Sequence, residues 1–342
     1  MKFWNFMLRR VSFAIISLVG LSILVFVIAR VLPGDPARLA LGPRASQAAV
    51  DALRAALHLN QPIYFQYFYW LQGVFSGDWG IALFTQRNVL TDVADFLPAT
   101  LELILVAAII DLVIAIPLGV IAGRRENTYI DNAVRVLSYV GIAVPSFVVA
   151  IVLQLVFGYE LRLFPIVGQL SQNVAPPTQI TGIYLIDGLL TGNFGAAADA
   201  LWHVILPAFA LSLGSIAQEA RIMRASVVEN LSKDFTVAEI SHGLPERLIT
   251  LKYLVKPSLI PTITIYALDI SALIANAFLV ELIFNWPGFS RYGLTAILSK
   301  DLNAIVAVVI IAGVMFAVAN ILVDLWVGYL DPRIRLEARS ED

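Results

Sequence analysis

The chain has 342 residues, of which 59% are hydrophobic and 14% charged, and its net charge is −2. Soluble domains run at roughly 45–50% apolar and about 25% charged, so a single soluble core cannot hide this much apolar surface. The small net charge supplies no basic field for nucleic acid, and the absence of cysteine excludes disulfides, thiolate metal sites and a Cys nucleophile.

A bilayer core of about 30 Å takes about 20 apolar residues as a helix, and six runs satisfy it in chain order. Residues 11–29 carry no charge and are bracketed by Arg9, Arg10 and Arg30. This run exceeds a signal-peptide core and no small-x-small cleavage site follows, so it reads as a retained anchor. Residues 103–123 are interrupted only by Asp111, and 136–159 are uncharged. The run 201–218 carries His203 and Pro207, 257–280 contains Asp269, and 302–323 is uncharged. The expected fold is an all-α integral membrane protein with six transmembrane helices.

Lys and Arg counts set the orientation. With the N-terminus inside, 15 of the 23 basic residues fall on the cytoplasmic side. Five of the other eight belong to Arg30 and the long segment after it, which counts little in this rule. A multi-pass protein of the cell membrane with both termini cytoplasmic follows. The expected organisation is a tail and first helix over 1–30, an extracellular segment with short helices over 31–98, and a five-helix core over 99–330. A cytoplasmic tail covers 331–342.

Three connections are longer than turns. In 31–98, residues 45–59 are good helix formers in amphipathic order. Residues 62–74 are dense in aromatics, among them Tyr64, Tyr67 and Trp70, and suit a membrane–water interface. That stretch is either a helix lying on the outer leaflet or a platform that contacts substrate. Residues 160–200 form a second outer segment rich in Gly, Pro and Thr. The third connection, 225–256, is cytoplasmic. Asp234 can cap a helix there, Gly243 offers its left-handed C-terminal cap, and Pro245 suits the first turn of a second helix. Pro257 then leads into the next span. Two short helices under a membrane domain give another protein something to grip.

These residues resemble a known family. A cytoplasmic Gly followed 18 residues later by Pro261 is similar to the EAA loop of binding-protein-dependent ABC importer permeases. The stretch Ala220 to Phe235 resembles the segment preceding that loop in peptide-type permeases. Further fragments agree along the chain: R-V-L-P-G-D-P-A from Arg30, L-P-A-T-L-E-L from Leu97, V-P-S-F from Val144, H-V-I-L-P-A from His203, V-E-L-I-F-N-W-P-G-F from Val280 and L-D-P-R-I-R from Leu330. The ordered set is the pattern of the first permease subunit of dipeptide and oligopeptide importers. Of the EAA triplet itself only Ala238 matches, between Val237 and Glu239. The resemblance implies a type I ABC importer permease fold and alternating access. It implies an ATPase-coupling loop at Asp234, Ala238, Glu239, Gly243, Leu244 and Pro245. It also implies partners: a second homologous permease, two ATP-binding subunits, an extracellular solute-binding protein and membrane lipid. Short peptides are the implied cargo, although similar permeases carry oligosaccharides and nickel chelates.

The chain lacks the chemistry of an enzyme. No G-x-x-x-x-G-K-[ST] phosphate cradle occurs, so ATP and Mg belong to partner subunits. No H-E-x-x-H pattern occurs and His58, His203 and His242 are scattered, so no metal site, catalytic residue or resident cofactor is expected. G-x-S-x-G is absent too. Charges inside spans are costly unless paired or hydrated. Asp111 and Asp269, with Asn276, therefore either line a translocation path or bind the amino end of a peptide, or else hydrogen-bond across a helix interface. A proton-coupled carboxylate pair is a further reading and would make the chain a secondary transporter or channel working without ATPases. Pro117, Pro145 and Pro207 each permit a kink in a span. Trp286-Pro287-Gly288 suggests a structured turn, and Asp331-Pro332 a helix stop.

Overall fold

The computed structural model describes residues 3–31, 36–42, 44–56, 58–299 and 301–330. The Asp331-Pro332 stop, the tail and part of the R-V-L-P-G-D-P-A stretch lie outside them. The helices are α1 (Phe3–Val31), α2 (Pro36–Leu41), α3 (Gln47–Ala56), α4 (Ile63–Ser76), α5 (Val89–Arg124), α6 (Tyr129–Ala143) and α7 (Ser146–Leu153). They continue with α8 (Tyr184–Leu190), α9 (Phe194–Leu231), α10 (Asp234–Ser241), α11 (Glu246–Leu248), α12 (Lys256–Ile283), α13 (Phe289–Leu298) and α14 (Leu302–Leu330). Among the described residues there is no strand, only an antiparallel bridge between Ile81 and Asn88.

Among the described residues, five helical stretches are long and apolar enough to cross a membrane: Leu8–Ile28, Val89–Arg124, Phe194–Leu231, Glu246–Ile283 and Leu302–Val323. The third expected span is broken. Tyr129–Ala143 and Ser146–Glu160 meet at 106°, and together they make a sixth span if the bent pair counts as one. Pro145 supplies the cause, because it has no N–H to continue the ladder and steers Val144 to extended backbone (ψ 122°). By contrast α5 continues past Pro117 and α9 past Pro207 without a break.

Two compact units divide the chain. The first is built on Leu101–Trp286. Its centre is α9, which packs on α6, α7, α8 and α12. Close approach to α5 rests on Gly119 and Gly123. A Cβ at Gly119 would stand 2.5 Å from the Met223 Cβ, and one at Gly123 2.8 Å from the Val227 Cβ. Small residues four apart let two helix backbones meet in lipid, where dispersion rather than the hydrophobic effect holds helices together. Polar ties add direction: Tyr266 donates to the Ala108 carbonyl at 3.0 Å, and Asn230 Nδ2 to Ser258 Oγ at 2.9 Å. In the segment before α8, the buried Asp187 carboxylate accepts the N–H groups of Ile180, Thr181 and Gly182 and the Thr181 hydroxyl at 2.7–3.1 Å. Burial opposes that charge, but the four donors outweigh it and hold the carboxyl below its usual range.

The second unit comprises Asn5–Thr100 and Pro287–Ala317. The expected amphipathic helix in 45–59 is α3, and the aromatic stretch is α4. The α4 rings face α1 in part: Tyr67 and Trp70 stand 5.3 and 5.5 Å from the Phe26 ring centroid, and Tyr67 and Ser22 share a 2.8 Å hydroxyl contact. Tyr64, Phe65 and Phe68 stay exposed. A core of Val89, Val93, Phe289, Tyr292 and Ala296 joins the start of α5 to α13, with the Phe289 N–H donating to Thr100 Oγ1 at 2.7 Å.

Candidate functional site

Two features of the first unit bear on function. One is the corner between α10 and α11. Lys233, not Asp234, occupies the N-cap position, and no side chain caps the helix. Asp234 instead sits in the first turn, where a negative charge still faces the positive end of the helix dipole. The far end follows the expected chemistry. Gly243 adopts φ +74°, its N–H reaches the Ile240 carbonyl at 3.0 Å, and the Leu244 N–H reaches the Glu239 carbonyl at 3.3 Å. This is a Schellman cap. Leu244, the residue just past the turn, folds back onto Met223, Val227, Ile249 and Leu254.

Pro245 then starts α11 by setting an extended ψ of 138°. No break follows at Pro257: wide π-helical turns over Ile249–Val255 carry α11 into α12, giving one helical stretch from Glu246 to Ile283. Pro257 falls in the first turn of α12, where a proline is best tolerated. The outward side of the corner is apolar, with Phe235, Val237 and Ile240 exposed to 46%, 49% and 50%. Ala238 and Pro245 are exposed and Glu239 is half-buried. Behind it, Arg124 pairs with Glu246 at 3.1 Å. Arg224 clasps the fully buried Asp131 with two bonds of 2.7 and 2.8 Å.

The second feature is a polar seam inside the helices. Asp269 accepts from Gln218 Nε2 at 3.1 and 3.4 Å. Both residues line a cavity of about 270 Å³, together with Asn276, Ser146, Ser215 and Gly141 beside the Pro145 break. Asp111 is fully buried and does not line that cavity. Its carboxyl lies against that of Glu219, also fully buried, and among the described residues no other donor reaches either one. Two of the three expected path residues, Asp269 and Asn276, are thus brought together, and Asp111 stands apart with Glu219. Sequence reading missed Glu219, Gln218 and Arg224. The fourth apolar run ends at Gln218, yet residues 219–231 hold no Gly or Pro to stop a helix, and α9 runs on to Leu231. Among the described residues no group of three His, Asp or Glu stands close enough to hold a metal ion.

Comparison with known proteins decides the family. The model of the binding-protein-dependent transport system inner membrane component matches residues 115–336, and the model of the N-terminal region of such membrane components matches residues 3–104. The chain belongs to this family. It is similar to the probable D,D-dipeptide transport system permease protein DdpB of Escherichia coli K12, with 36% identity covering 98% of both chains. It is 32% identical to the dipeptide transport system permease protein DppB of Alkalihalophilus pseudofirmus, over 96% of this chain and 98% of that one. The oligopeptide transport system permease protein AppB of Bacillus subtilis is 31% identical over the same shares. The chain is therefore a multi-pass membrane permease subunit of an ABC importer, with the type I permease fold. It works with partner subunits, and ATP hydrolysis resides on those rather than here. The reading as a transporter without ATPase partners falls with that assignment.

Proposed function

We propose that this permease forms half of the translocation path of an ATP-driven importer for short peptides. A second homologous permease supplies the other half, two ATP-binding subunits grip the corner at Gly243, and an extracellular solute-binding protein delivers the peptide. Both termini and the corner face the cytoplasm, as the distribution of Lys and Arg favours. The peptide assignment rests on the dipeptide and oligopeptide permeases to which the chain is similar along nearly its whole length.

The observation that carries the mechanism is continuity between grip and path. The exposed side chains of Phe235, Val237 and Ile240 form the apolar surface that an ATPase groove covers. Leu244 anchors the corner to the helix ends, and the stretch Glu246–Ile283 reaches from the corner to Asp269 and Asn276 without a break. A pull on the corner therefore moves the wall of the path. ATP shifts the access equilibrium by its differential affinity for the two states, and the helix carries that shift across the bilayer.

The test is Gly243→Pro in the assembled transporter. Proline cannot adopt φ +74°, so the Schellman cap opens while the membrane helices keep their own hydrogen bonds. Peptide-stimulated ATP hydrolysis and peptide uptake are both expected to fall, with normal insertion of the chain. Unchanged stimulation would overturn the coupling role of the corner.

A further inference from the structure

The cavity beside the Pro145 break has a composition that selects a ligand. Its lining joins one carboxylate, Asp269, to the amides of Gln218 and Asn276 and the hydroxyls of Ser146 and Ser215. Asp269 receives only the Gln218 amide and forms no ion pair among the described residues. An acid at this depth is costly until a cation meets it. Gly141 also lines the cavity. Its carbonyl loses the usual donor four residues on, because that residue is Pro145. One carboxylate with a released carbonyl matches a group that carries positive charge and several N–H donors. The amides match a neighbouring peptide unit, which needs both a donor and an acceptor. About 270 Å³ is close to the lower end of small-ligand pockets, which suits a few residues of peptide rather than a folded chain.

We propose that this cavity is a transit subsite for the amino end of a peptide. In it Asp269 and the Gly141 carbonyl take the α-ammonium, and Gln218 and Asn276 take the first peptide unit. The proposal rests on the reading that the permease carries peptides and adds which end is held and by which residues. The buried acids Asp111 and Glu219 do not touch the ligand, since neither lines the cavity. A peptide with a blocked amino end has no charge to offer and leaves Asp269 uncompensated.

The absence of cysteine in the chain gives a direct test. Ser146→Cys and, separately, Ser215→Cys each place one thiol on the cavity wall in the assembled transporter. The rate of modification of this chain by the neutral reagent methyl methanethiosulfonate is read after the subunits are separated. L-alanyl-L-alanine is expected to slow modification of both variants. N-acetyl-L-alanyl-L-alanine should need a roughly tenfold higher concentration, the lower end of what a hydrogen bond to a charged group contributes. Adding Asp269→Asn should erase that difference. Equal protection by the two peptides, no protection at either thiol, or discrimination that survives Asp269→Asn overturns the subsite. Uptake of L-alanyl-L-alanine by the unmodified transporter is measured in parallel. Uptake without protection rejects the subsite alone, and no uptake of any peptide rejects the cargo assignment beneath it.

Discussion

Arg224 and Asp131 show how much a single pair contributes at the end of a helix bundle. Asp131 is fully buried and holds the Arg224 fork through both oxygens, so removing that cation leaves the charge with only the Asn127 N–H and the more distant Arg135. Arg224→Met is expected to cost about 3 kcal/mol of stability, read as a lower melting temperature of the detergent-purified chain. Arg224→Lys should recover only part, because an ammonium cannot reproduce the two-pronged bond. Asp111 and Glu219 pose the opposite problem, two acids in contact with no other donor nearby. Glu219→Gln brings an N–H to Asp111 and should hold or raise the melting temperature. Glu219→Leu leaves a buried oxygen without a donor and should lower stability by roughly 1–3 kcal/mol; equal melting of the two variants would refute the contact. Asp187 makes stability depend on pH. Its carboxyl is held below the usual carboxylate value, so its contribution is complete above about pH 4 and is lost as pH falls through the folded value. Protection of the amides of residues 180–182, measured against their intrinsic exchange rate at each pH, should fall on acidification below that point, and Asp187→Asn should abolish the dependence.

At the scale of elements, helix contact in the first unit depends on the absence of side chains. Gly119 and Gly123 lie one turn apart on α5, and a methyl group at Gly119 would also stand 2.7 Å from the Ala220 carbonyl oxygen. Backbone cannot yield as a side chain can, so Gly119→Ala is expected to destabilise by about 1–3 kcal/mol through overpacking, measured again by thermal melting. The bend between α6 and α7 is a different kind of element boundary. It is set locally by Val144-Pro145, whereas α5 and α9 run on through Pro117 and Pro207. A proline in a membrane helix therefore marks a place where a break is permitted, not one where it must occur.

At the scale of the molecule, the proposed docking of the ATP-binding subunits on the corner around Gly243 can be tested directly. Phe235 and Ile240 are half-exposed apolar residues on a helix at the end of a membrane protein. Replacing both by Asp should remove the apolar grip. Recovery of ATP-binding subunits with the purified permease is expected to drop severalfold, while insertion of the chain is unchanged. Co-purification at the normal level would show that the grip lies elsewhere.

The amino-acid sequence by itself determined the membrane class, the runs that span, the Gly243 turn and the family. Each is a local signal: apolar length, a residue that alone tolerates positive φ, and short motifs in fixed order. Asp269 and Asn276 were legible for the same reason, being polar residues seven apart in one apolar run. Only the tertiary structure decided what those residues meet. Glu219 gains significance from Asp111 and Gln218 from Asp269, on helices far apart in the chain, and Arg224 finds Asp131 across 93 residues. It also decided that Glu246–Ile283 continues through Pro257 and that the third run bends by 106°. Pro145 permits the bend locally, but the sequence offers the same signal at Pro117 and Pro207, where the helices run on, so the outcome at each proline was legible only in the structure.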